Sequence, residues 1–450
     1  MTKPNIIFVL IDSLRADQCL GNEKSSHTEF LDSTRSDGIY FENTFASGDG
    51  TIISLNCLLN SKFQFQTGIR TQKIVLLNDN NLQTLKNSGY QIHGLIPELT
   101  SFASFRSYLK NKDNSYNAGP PPETLPTGLT EKISTLLKSL KNESPWFCYI
   151  HLFDLHPLRE GRLPTKIENF QTEKFGNSLY SQTVSSIDHY LKKIFQDIDF
   201  ENTLLVITAD HGERIPFGDK TSFQFEPELK SITKIGRKIL PKNTHNVGGK
   251  FLGKVKKTVG KAKVEYSNKE LTPYQKRSRD PYFTLSLHEE LLHIPLFLKG
   301  LGLPKKNISN QVSTLDIFPT IFDIVGIPYK KSKFYNSLVP LINNRKIPSL
   351  DIFLHTIPYQ KESLLDRVGI RTSKFKYFRN SRNSKKDVHL YDLENDPHEN
   401  NNIAQDNLEM VEKMEDKLSN MQKDSKKFDE TLDQKEDEEI SKELKKLGYM

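Results

Sequence analysis

At 450 residues and 36% hydrophobic content the chain can bury a large core, enough for one long α/β domain with insertions or for two to three domains. Its three cysteines, Cys19, Cys57 and Cys148, are too few and too odd in number for a disulfide framework, and no run approaches the roughly 20 apolar residues that cross a bilayer. The net charge of +7 is unevenly spread: residues 214–282 hold 17 Lys/Arg against 6 Asp/Glu, so the remainder is about −4.

The first element is Ile6 to Ile11, an apolar run without alternation, the pattern of a strand buried on both faces. The run is too short for the apolar region of a secretory signal, so a cytoplasmic setting is expected. The strand ends on Asp12, with Arg15 and Asp17 just beyond. Two readings stand here: Asp12 as a metal ligand with Arg15 holding an anionic site together, or Asp12 or Ser13 as a helix N-cap. Gly48-Asp49-Gly50-Thr51 then precedes an apolar run of helical character, which makes Thr51 a candidate N-cap. Asn111 to Thr127 is a Pro/Gly/Asn-rich loop. Leu129 to Lys141 is predicted as a helix, Trp146 to Phe153 as a strand and Ser178 to Phe195 as a helix. Thr203 to Thr208 is another apolar, β-branched-rich strand. It delivers Asp210 and His211 side by side at its carboxyl end, where open α/β sheets place ligands, and Gly212 lets the backbone turn away. Asp and neutral His are both good ligands for a divalent cation. The alternation of strands and helices predicts an α/β fold with a mainly parallel sheet.

Residues 214–282 form a basic insertion, with Lys254-Val255-Lys256-Lys257 and Lys261-Ala262-Lys263 as its densest stretches. It is read either as a flap that recruits an acidic polymer or an anionic surface, or as a solvated loop. Nucleic acid is not expected as a partner, because no recognised binding module is present. Ile294 to Leu298 returns to the sheet, and beyond residue 405 Leu408, Val411, Met414, Leu418 and Met421 fall at helical spacing in a highly charged stretch.

Several segments, in order, resemble motifs of the sulfatase family of the alkaline phosphatase superfamily. These are Asn5 to Asp17, Thr28 to Ala46, Leu82 to Tyr90, His151-Leu152-Phe153-Asp154-Leu155-His156-Pro157, Thr208 to Glu213, His288 to Leu296, Asp316 to Thr320 and Leu390 to Glu399. The resemblance covers roughly residues 4 to 404. It implies an alkaline-phosphatase-like fold, with a mainly parallel central sheet flanked by helices and a smaller C-terminal subdomain. The expected division is 4–328 as the catalytic domain carrying the insertion, 329–404 as the subdomain and 405–450 as a charged C-terminal helix.

The nucleophile slot departs from the family's Cys or Ser. Counting the family's seventeen-residue spacing back from Gly68 reaches Thr51, with Ser54 and Leu58-Leu59 in register, while Cys57 lies six residues too late. The resemblance therefore implies Thr51 as nucleophile and no formylglycine. A threonine in this slot points to phosphorus esters. The implied metal ligands are Asp12, Asp210, His211 and the Thr51 oxygen, around one divalent ion (Mn, Ca, Mg or Zn). The implied roles of the others are Arg15 as a catalytic residue, through a supporting or substrate contact, His156 as substrate contact or general acid, and His288 as a substrate contact. Three expected features are absent: a second acid (Ser13 stands there), an arginine (Leu55) and a basic residue within Tyr282 to Leu287.

The reading is a metal-dependent hydrolase or transferase of phosphate or sulfate esters, with a substituted glycan as the substrate guess and the oligomeric state open. Two alternatives remain: a non-catalytic relative that binds an anionic ligand, and a true sulfuric ester hydrolase using Cys57.

Overall fold

The structure, a computed structural model, describes residues 3–21, 24–159, 166–215, 271–279, 286–357, 365–423 and 425–426. Most of the basic insertion, the slot at 282–285 and the chain from 427 to 450 lie outside the described residues. Two compact units are distinguished, Met1–Glu213 with Leu285–Met450, and Arg214–Thr284. In the second, the helix Pro273–Arg279 is described.

The first unit is built on eight strands: β1 Asn5–Ile11, β2 Ile39–Phe45, β3 Gln91–Pro97, β4 Ser115–Tyr116, β5 Trp146–Leu152, β6 Thr203–Thr208, β7 His293–Lys299 and β8 Lys306–Ser313. They form one sheet in the order β4-β3-β5-β1-β6-β7-β2-β8. Pairing is parallel except where β7 meets β6 and β2. β4 lies inside the segment expected to be a loop; it is a two-residue edge strand held by β3.

The central strands β5, β1 and β6 are buried along nearly their whole length. That is why their sequences run apolar instead of alternating. Helices cover the sheet: α1 Glu29–Asp37, α2 Thr51–Asn60, α3 Leu129–Ser139, α4 Leu179–Phe195 and α5 Ile317–Ile324. Ser178 caps α4, its hydroxyl accepting from the Ser181 N–H.

A second, antiparallel sheet follows, β9 Ile352–His355, β10 Arg367–Arg371, β11 Phe375–Asn380 and β12 His389–Asp392, in the order β12-β11-β10-β9. The helix α6 Leu408–Met421 buries Met414 and Leu418 in the same core as Phe353, Ile370, Tyr377 and Phe378. Its apolar stripe is therefore a packing face, and only Leu408, at 67% exposure, stands clear of it.

A buried ion network ties this sheet to the segment before β7. Lys376, fully buried, contacts Glu289 at 2.9 Å and Glu399 at 2.5 Å, and Arg371 meets Glu289 at 2.9 Å. Burial works against the Glu289 carboxylate, but Arg371 and Lys376 hold its pKa well below the usual range. Removing one partner of such a network leaves a buried charge uncompensated. Lys376→Ala is expected to cost about 3–5 kcal/mol in urea unfolding, because the buried Glu399 loses its cation and Glu289 is left with Arg371 alone. A loss under about 1 kcal/mol would mean that the network is solvated.

Candidate active site at the carboxyl edge of the sheet

The strand register assembles the site. Leu10 of β1 lies opposite His151 of β5 on one side and Thr208 of β6 on the other. The residues that follow, Asp12 after β1 and Asp210-His211 after β6, therefore leave the sheet at one edge, beside the end of β5. Since β7 runs against its neighbours, it presents its amino end here. Gly212 is pinned to the segment before β7, its N–H donating to the Leu291 carbonyl at 2.8 Å. A Cβ at Gly212 would stand 2.2 Å from the Glu290 carbonyl oxygen, so the close approach requires glycine.

Thr51 reaches the edge from α2. Its helix N-cap is Gly50, with extended backbone and no capping side chain, so the Thr51 hydroxyl is not consumed as a cap. Instead Thr51 Oγ1 donates to Asp12 Oδ2 at 3.0 Å and lies 3.3 Å from His211 Nε2. The preceding loop is fixed by Asp49, which accepts from the Ile357 N–H at 2.7 Å and the Ser286 N–H at 3.1 Å. The N-cap alternative at the end of β1 also fails. The next helix, Ala16–Cys19, has Arg15 at its cap and no side-chain cap, and the Asp12 carboxylate accepts from Thr51 and from Ser13 Oγ at 2.8 Å.

Three imidazoles converge on these carboxylates. His151 Nε2 is 3.6 Å from Asp12 Oδ2, His156 Nδ1 is 3.8 Å from Asp12 Oδ1, and His211 Nε2 is 3.6 Å from Asp210 Oδ2. His211 Nδ1 lies 2.6 Å from the Gly212 carbonyl oxygen. A carbonyl only accepts, so Nδ1 carries the hydrogen and Nε2 presents its lone pair to Thr51. Asp210 is held by the backbone N–H groups of Ser13 at 3.1 Å and His211 at 2.9 Å, both to Oδ1. That leaves Asp210 Oδ2 buried and without a hydrogen bond among the described residues, as is His151 Nε2.

These groups fit a divalent cation. Asp12, His151 and Asp210 are the one described set of three whose ligand atoms all lie within 4.8 Å of one another. The electrostatics agree. Burial alone would raise Asp12, yet His151, His156 and His211 hold it well below the usual carboxylate range. Asp210 moves the opposite way, raised first by burial and then by the Asp12 charge. Two fully buried carboxylates that repel each other, with unsatisfied ligand atoms between them, are relieved by a positive ion.

Other expected residues are placed differently. Arg15 is buried, but its guanidinium is engaged by Asp17 and by the Glu213 carbonyl at 3.1 Å, and its N–H donates to Tyr180 at 3.0 Å. It clasps the loops after β1 and β6 together. His288, expected as a substrate contact, is buried and makes internal contacts: Nδ1 meets Ser286 Oγ, and Nε2 lies 3.2 Å from the Tyr391 hydroxyl. Leu55, in the arginine slot, is fully buried. Ser13, in the slot of the second acid, bonds Asp12 and approaches the buried Glu213 carboxylate at 3.4 Å. His156 stacks on Phe153, with ring centroids 4.0 Å apart. Asp154 serves the Leu125 N–H at 2.9 Å, and burial pushes its pKa up to about 7. Cys57 packs in the core with Phe63 and Phe65, and burial pushes its thiol up to about 12.

Comparison with known proteins gives a consistent picture. The family profile described as Sulfatase matches residues 4–327, and that described as N-sulphoglucosamine sulphohydrolase, C-terminal, matches 282–424. Arylsulfatase K of Rattus norvegicus is 23% identical over 299 residues, covering 64% of this chain and 51% of the rat protein. The human arylsulfatase K is 29% identical over 148 residues, 30% of this chain and 27% of that protein. The chain thus spans about half or less of the length of these curated relatives. Among solved structures, a 2-O GAG sulfatase superposes with a TM-score of 0.64 at 18% identity, covering 94% of this chain and 93% of the other. The phosphonate monoester hydrolase of Agrobacterium radiobacter gives 0.63 at 15% identity, covering 93% and 95%.

Proposed function

The chain belongs to the sulfatase family, and we propose that it is a metal-dependent enzyme in which Thr51 attacks the phosphorus or sulfur of an anionic ester. The observation that carries this reading is the placement of the Thr51 hydroxyl, 3.0 Å from Asp12 and 3.3 Å from the lone-pair nitrogen of His211, with no capping duty. Asp12, Asp210, His211 and Thr51 Oγ1 would hold one divalent cation. Such an ion supplies the charge that lowers a hydroxyl's pKa and offsets negative charge on the non-bridging oxygens.

The chain's own groups account for the rest. Thr51 Oγ1 forms the new bond to phosphorus or sulfur as the ester oxygen departs, and the Thr51 proton leaves towards Asp12 Oδ2, the oxygen to which the hydroxyl already donates. His156 protonates the departing oxygen. Water, or an acceptor hydroxyl, then attacks the same centre and gives its proton to His156, while the Thr51 oxygen departs and recovers its proton from Asp12. Threonine favours a phosphorus ester. The structural neighbour described as a 2-O GAG sulfatase makes a substituted glycan the substrate class to try first.

The test is a panel of nitrophenyl sulfate, phosphate, phosphodiester and phosphonate, with and without Mn²⁺. Metal-dependent turnover of a phosphorus ester supports the reading. No turnover of any ester, with cation still bound, would favour the non-catalytic ligand-binding alternative. For His156→Ala, kcat is expected to fall by about 10²-fold or more on alkyl esters and much less on nitrophenyl esters, whose leaving group needs no proton. Equal losses on both would remove the general-acid role.

A further inference from the structure

Among the site's imidazoles, His151 is the one that the ester chemistry above leaves unused. It sits on β5, an entirely buried strand, and its ring is gripped on one side: Nδ1 lies 3.1 Å from the Tyr149 hydroxyl. The backbone is fixed as well, since the Tyr116 hydroxyl donates to the His151 carbonyl at 2.7 Å. Phe102 packs edge-on against the ring, with centroids 5.3 Å apart. These contacts turn Nε2 to the carboxylates, where it is buried and makes no hydrogen bond among the described residues. A buried imidazole nitrogen with no hydrogen bond costs free energy unless something fills its lone pair. The atoms facing it are the ligand oxygens of Asp12 and Asp210, all within 4.8 Å of one another.

Resting on the proposed metal-dependent reading, we propose that His151 is a metal ligand beside His211, oriented by Tyr149, and that this nitrogen pair selects Mn²⁺ or Zn²⁺ over Ca²⁺ and Mg²⁺. The chemistry is direct. Ca²⁺ and Mg²⁺ are hard ions served by oxygen, whereas imidazole suits the first-row transition metals. Two imidazoles with two carboxylates make a mixed site of the second kind. Tyr149 is then a positioning residue. It holds the ring nitrogen opposite the ligating one, as the partners of metal-bound histidines do.

The full chain loaded with Mn²⁺ would be examined by electron spin echo modulation, which counts coupled imidazole nitrogens, and titrated calorimetrically with Mn²⁺ and with Ca²⁺. Two coupled imidazoles in the wild type, one in His151→Ala, are expected. Mn²⁺ affinity should fall about tenfold or more in His151→Ala and by a smaller factor in Tyr149→Phe, while Ca²⁺ affinity changes little. One imidazole in the wild type, or equal losses for both cations, would overturn the assignment while leaving metal-dependent catalysis standing. No Mn²⁺ bound by the wild type would overturn both. If His151→Ala does not fold, the wild-type nitrogen count decides alone.

Discussion

Thr51→Ala is expected to lower turnover of the accepted ester by about 10⁴-fold or more, the scale on which enzymes lose activity when an attacking side chain is removed. Its particular strength as a test lies in what it leaves intact. Thr51 begins α2, but the cap position is Gly50, and the hydroxyl bonds towards the site instead of the helix's own N–H groups. Alanine is the best helix former, so melting temperature should change little while activity collapses. Thr51→Ser keeps the oxygen and should retain a measurable fraction of the rate. Activity of Thr51→Ala within tenfold of wild type would remove threonine from the chemistry.

The second large effect is expected at Asp12. Its carboxylate is fully buried, accepts from Thr51 and Ser13, and faces His151 and His156. Asp12→Asn keeps the shape and removes the charge. Divalent-cation affinity should fall by at least about 100-fold, beyond the loss typical of an outer-shell change, and metal-dependent turnover should fall with it. Because the amide fits the same space, a folded protein is expected, and calorimetric titration can be read directly. Cation affinity within a few-fold of wild type would show that the ion, if bound, sits elsewhere.

Much of this site is legible in the chain, for a physical reason. Strands buried on both faces are written as unbroken apolar runs, and in a parallel sheet their carboxyl ends coincide. Asp12, Asp210 and His211 announce themselves as polar residues where such runs stop. His151 does not, because it lies inside the run. When both faces of a strand are buried no alternation marks which side chain looks where, so His151, just before Leu152-Phe153, carries no signal of its own in the sequence. Position in a motif also cannot report partners distant in sequence. His288 is occupied by Tyr391 and Arg15 by Glu213, contacts that exist only once the second sheet and the loop after β6 are in place. The two-residue β4 carries no pattern of its own and is a strand only because β3 pairs with it.

Thr51 as the attacking atom is tested most directly by acid-quenching the Mn²⁺-loaded enzyme during turnover and mapping the adduct by mass spectrometry. One tryptic peptide, Ser36 to Lys62, carries both Thr51 and Cys57, so fragment ions must localise the modification. A phosphoryl or sulfuryl group on Thr51, absent from Thr51→Ala, is the expected result. An aldehyde at position 57 with Thr51 unmodified would contradict it and return the chain to sulfatase chemistry of the ordinary kind.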